Sequence, residues 1–140
     1  MKTLKHIIIP ILAILVLITI TACAASNTAK IPVKSMPPGA TFDGLWYTDF
    51  GDMNLSSKGE NIYGDFEHRT GGVIEGQVKG GVMRFKWKQL GDFNIGKREV
   101  EGHGYFVISN DGLSFTGQWG YADKYEGGGK WDGRKATEIY

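Results

Sequence analysis

The chain carries one cysteine in 140 residues, at position 23. No disulfide can form within it, so packing alone must hold the fold. Its four prolines, at 10, 32, 37 and 38, all fall before residue 39. Beyond Phe42 the sequence is free of proline and poor in alanine and leucine, but rich in glycine and aromatics. That composition disfavours helix and suits short, bent strands. A basic excess is also missing. Four of the 16 lysines and arginines precede Phe42, and the remaining 12 face 15 acids, a net of −3. No nucleic-acid partner is expected. Catalytic signatures are equally scarce. There is no Gly-x-Ser-x-Gly elbow, and no Gly-Lys-Ser/Thr follows the triple glycine at 127–129. His68 and His103 stand beside no nucleophile motif. Glu99, Glu101 and His103 share a strand face, but solvated neighbours two residues apart read as surface rather than a metal set. Neither an enzyme nor a metal or cofactor is expected.

What is present begins with the leader. Lys2 and Lys5 precede an almost unbroken apolar run, Ile7 to Ile20, as in an export signal. Counted through Ala25, the run approaches the roughly 20 residues of a membrane span, so an uncleaved anchor is the alternative. Ile20-Thr21-Ala22-Cys23 resembles the lipobox of bacterial lipoproteins. The resemblance implies a signal peptide over 1–22 and acylation (diacylglyceryl plus a further chain such as palmitate) at Cys23. The partner is then the lipid bilayer of the cell envelope, and several chains make the attachment durable. Ala24 stands where aspartate would imply inner-membrane retention, which points to the outer membrane of a two-membrane envelope. Residues 23–41 read as lipidated cysteine plus a flexible tether, with a reach of roughly 20–25 Å. One domain occupies 42–140.

Within that domain, alternation with period two is clear. Ile62, Gly64 and Phe66 share a face, as do Ile74, Gly76 and Val78, and Met83, Phe85 and Trp87. Val100, Gly102, Gly104, Phe106 and Ile108 follow, then Leu113, Phe115, Gly117 and Trp119. Turn signals at 57–60, 70–72, 79–81 and 110–112 separate these runs. With strands near 44–48, 51–55 and 129–140, the fold class is all-β: an antiparallel up-and-down meander of about eight strands closing into a small barrel. A β-sandwich is the competing architecture. Glycines recur on the same face as bulky residues, which suits the crowded interior and coiling of a closed barrel. Outside, Arg84, Lys86 and Lys88 should meet Glu99, Glu101 and His103 across a strand pair.

Trp46, Phe66, Phe85, Trp87, Phe106, Phe115 and Trp119 all fall on the inner face. Some of these rings fill the barrel, and others can line an open end and hold a ligand. The residues from Gln89 to Arg98 form the longest break, with Phe93 and Ile95 suited to a lid. Asp123 to Gly133 looks a little like a single MORN repeat, which without further copies reads as chance.

Gly44-Leu45-Trp46-Tyr47-Thr48 with Gly51, Gly64-Asp65-Phe66-Glu67 and Phe85-Lys86-Trp87-Lys88 resemble the first five strands of the avidin–streptavidin barrels. The Gly-x-Trp start is shared with the wider calycin group, in which a late Arg or Lys packs across that tryptophan; Arg134 is the candidate. The resemblance implies a ligand site at Trp46, Thr48, Asp52, Phe66, Trp87 and Trp119. Phe66 and Asp52 replace hydrogen-bond donors of biotin binders, and His68 replaces a pocket serine, so tight biotin binding is not expected. The expected function is a membrane-anchored, non-catalytic binding or interaction module of the envelope. The alternatives are a carrier or sensor of a small, mostly apolar ligand, and a protease-inhibitor-like barrel.

Overall fold

The computed structural model describes residues 30–91, 96 and 98–137. Cys23 with its leader, Phe93 and Ile95 lie outside the described residues. The strands run β1 Gly44–Thr48, β2 Gly51–Lys58, β3 Asn61–Phe66, β4 Gly72–Lys79, β5 Val82–Gln89, β6 Val100–Ile108, β7 Ser114–Tyr121, β8 Gly129–Lys130 and β9 Gly133–Lys135. Every neighbouring pair is antiparallel, from β1 through β7. β9 then bridges β7 and β1. Eight strands thus close a barrel and the two-residue β8 adds to β7. The expected barrel is the observed one, and the sandwich is excluded.

The final strand is divided where one run was expected. β8 and β9 keep a single register against β7, with Trp119 opposite Gly129 and Phe115 opposite Gly133. Between them the Asp132 carboxylate accepts from Gly117 N–H at 3.2 Å, while the Asp132 carbonyl is taken by Asp49 N–H. A side chain therefore substitutes for one rung of the ladder.

The glycines have a specific cause that the alternation only hinted at. Five of the large rings lie directly opposite a glycine on the next strand: Phe66 opposite Gly72, Phe85 opposite Gly104, Trp87 opposite Gly102, Phe106 opposite Gly117 and Phe115 opposite Gly133. A Cβ at Gly104 would sit 2.5 Å from Phe85 Cζ, and one at Gly117 would sit 2.7 Å from Phe106 Cδ1. The ring covers bare backbone that would otherwise be exposed, a pairing that also pins the register. Two exceptions to the expected inner face are Val100 and Leu113, 42% and 48% exposed. Val100 sits at the open rim, and Leu113 precedes β7 in a turn where Asp111 Oδ1 accepts its N–H. That bond, and a stronger one from Ser109 Oγ, hold the Asp111 carboxyl below its ordinary range.

The two ends of the barrel differ. One carries tight turns at 59–60 and 80–81, and Gly59 supplies the left-handed φ of +65° that such a turn requires. This end is sealed by chain that the sequence assigns to the tether. Gly81 N–H donates to Lys34 O, Lys34 Nζ reaches Ile108 O at 2.6 Å, and Met36 and Ala40 pack on the core. Phe42 is fully buried beneath Trp46, whose indole N–H donates to its carbonyl at 2.7 Å. Apolar Met36 and Ala40 have a face to cover, so the chain docks from Lys34 onward rather than from Phe42. The opposite end carries the longer connections at 67–71, 90–99 and 122–128, and among the described residues it is open.

The outer face is solvated as expected. Lys86–Glu101 at 3.4 Å and Lys88–Glu99 at 3.7 Å are diagonal pairs, because Lys86 faces His103 and Lys88 faces Glu101 in register. Both are half exposed, so each contributes little.

Candidate functional site

The open end holds a cavity of about 340 Å³ lined by Phe50, Phe66, His68, Arg69, Trp87, Gln89, Val100, Trp119, Tyr121 and Trp131. Its volume lies within the ordinary range for small-ligand pockets. Strand alternation delivers Phe66, Trp87, Trp119 and Tyr121 to the inside. Trp87 and Trp119 meet edge to face at 5.5 Å, and Tyr121 closes the group at 5.9 and 5.1 Å. Trp87 is fixed from behind, its indole N–H shared between His103 O and Gly120 O, each at 3.2 Å. Trp119 lies across Gly128, and its indole nitrogen is the one buried side-chain polar atom without a partner among the described residues. Tyr121 is 55% exposed and forms the outer lip.

Trp131 forms the floor. It is 2% exposed and touches Phe50, Phe66, Phe85 and Phe106 edge to face at 5.0 to 5.5 Å. Its indole N–H donates to Thr48 Oγ1 at 3.1 Å. Below this floor the buried side chains form one continuous packed cluster among the described residues.

The polar rim is built by the 67–71 connection. Gln89 Nε2 reaches up from β5 to His68 O at 2.8 Å, Gly71 O at 2.6 Å and Thr70 Oγ1 at 3.1 Å. These ties hold Arg69 in the left-handed region at φ +56°. His68 stacks edge-on to Phe50 at 5.1 Å. Burial, and then the Arg69 charge, push its imidazole below the ordinary 6.5. The neutral ring is therefore the folded form at neutral pH. The sign follows from linkage: stability from this group is full above 6.5 and falls as pH drops through the lowered value.

The sequence-derived site divides in two. Phe66, Trp87 and Trp119 line the mouth. Trp46 does not; it is buried at the closed end, 5.0 Å from Phe115. Thr48 lies behind the floor, holding Trp131 and accepting from Phe50 N–H. Asp52 faces solvent, because it alternates with inward Gly51 and Met53 and pairs with outward Tyr47. Arg134 also faces out, 5.4 Å over the Tyr47 ring. The cation across Trp46 is Lys135, directly opposite in register, with Nζ 5.2 Å from the ring and 3.0 Å from Thr41 O. Sequence reading missed Trp131, Tyr121, Phe50, Arg69 and Gln89. Trp131 shares parity with Gly129 and Gly133, a signal obscured by the run of glycines before it.

Among the described residues no group of three acids or histidines converges on a common point. Glu99 and Glu101 are taken by lysines, and His103 Nδ1 contacts Ala122 O. The chain matches no family model, no curated protein and no solved structure.

Proposed function

We propose that this protein is a non-catalytic lipoprotein of the bacterial cell envelope, whose barrel holds a small, mostly apolar ring compound in its open mouth. One observation carries the reading. The interior is densely packed from Phe42 to Trp131, yet a cavity of about 340 Å³ walled by aromatic faces and edges is left at the other end. Close packing is the norm for protein interiors, so an open aromatic recess calls for an occupant. The avidin-like motifs support the same end of the barrel through Trp87, while outward Asp52 removes the biotin correspondence. A role as a docking module or protease-inhibitor-like barrel has less behind it. Exposed Tyr47 and Tyr63 stand on different rows of the outer face and form no common patch.

The four indole N–H resonances test the mouth directly. Titration with 2-naphthamide should move Trp87, Trp119 and Trp131 and leave Trp46, at the closed end, in place. Tyr121→Ala should weaken the response about three- to tenfold, since a stacking ring contributes roughly 1 kcal/mol. Four unmoved signals, or Trp46 shifting with the rest, would overturn the reading. Anchoring has its own test. Labelled palmitate should enter the wild-type protein and not Cys23→Ala; equal labelling or equal membrane sedimentation of both would sink the lipoprotein assignment.

A further inference from the structure

The mouth is not uniformly apolar. Arg69 stands on its rim, and among the described residues it has no ion-pair partner. No carboxylate is found among the described lining residues. Asp65 and Glu67 line a second recess with Arg69, and neither forms an ion pair with it among the described residues. Arg69 also occupies a backbone conformation that suits glycine, at φ +56°. A side chain kept in a strained position by fixed ties, beside a cavity, is an observation that points to use. Here the ties are the Gln89 amide to His68 O and Gly71 O, and Gly71 N–H to His68 O at 2.9 Å. Arginine presents a planar fork of donors that matches a carboxylate in two parallel bonds.

We propose that the mouth ligand is a ring compound bearing a carboxylate: the ring lies between Trp87, Trp119 and Tyr121, and Arg69 receives the acid at the rim. This rests on the mouth being a ligand site and adds the charge of its occupant. Ring and charge are recognised by different elements, β5 and β7 for the first and the β3–β4 connection for the second. They can therefore be separated by mutation.

The test compares 2-naphthoate with 2-naphthamide, which share one ring system and differ in charge. Wild-type protein should bind the acid about three- to tenfold more tightly, with the preference shrinking as salt rises. Arg69→Gln should erase the preference, read as the ratio of the two affinities. Arg69→Gly, which relieves the backbone, should do the same in a protein no less stable, guarding against a folding artefact. If both compounds bind equally, or the amide binds better, the carboxylate assignment fails while the mouth remains a site. A preference that survives both Arg69 substitutions also overturns it. If neither compound binds, the mouth reading itself falls, and this inference with it.

Discussion

Gly102→Ala is expected to destabilise the barrel by about 3 kcal/mol or more, or to prevent its folding. Gly102 is buried on β6, opposite Trp87 on one side and Tyr121 on the other. An added Cβ would run into the Gly120 carbonyl of β7 and come within 2.8 Å of Trp87 Cζ2. The carbonyl is backbone and cannot rotate away. The indole is held by two hydrogen bonds, one of them to that same carbonyl. A single methyl must therefore push β6 and β7 apart and unseat the mouth tryptophan together. Gly59→Ala is the comparison. Gly59 has φ +65° but open space around it, so only the conformational cost of about 1 kcal/mol applies. Chemical denaturation of both variants separates the two causes. A Gly102→Ala protein within about 1 kcal/mol of wild type would show that the ring–glycine pairs do not set the strand spacing.

Trp131→Ala is expected to cost about 3–5 kcal/mol, the range for removing a large buried ring. The loss should sit at the high end because four aromatic rings lean on this indole from different strands. They are Phe50 beyond β1, Phe66 on β3, Phe85 on β5 and Phe106 on β6. Phe66, Phe85 and Phe106 cannot move in to fill the space without abandoning their own glycines. Trp131→Phe keeps most of the ring contact and loses the N–H bond to Thr48 Oγ1. Its cost should be nearer 1–2 kcal/mol. Thermal unfolding of the pair gives the ordering. If the two variants are equally stable, Trp131 is not the point on which the barrel interior converges.

Both expectations concern features that the one-dimensional pattern carried unevenly. The alternation of Met83, Phe85 and Trp87, or of Gly102, Gly104 and Phe106, gives strand and inward face from the sequence, because a pleated strand has a strict period of two. It cannot say which ring meets which glycine, since that depends on register between strands. The same gap explains Arg134 and Lys135. Sequence identifies a late cation, but a shift of one residue exchanges the inside of the barrel for the outside. Asp52 failed for the same reason, its alignment with a ligand contact giving way to the parity of β2.

Fold class was therefore settled by local chemistry: absent proline, scarce helix formers, glycine turns and period-two alternation all act within a few residues of one another. The mouth was decided by contacts distant in sequence. Trp131 reaches the floor because β8 and β9 on either side of it pair with β7 and β1, Gln89 of β5 fixes the β3–β4 connection around Arg69, and Lys34 to Phe42 fold back to seal the far end. Such contacts exist only once the barrel has closed, because closure alone brings side chains from four different strands and three connections to one end.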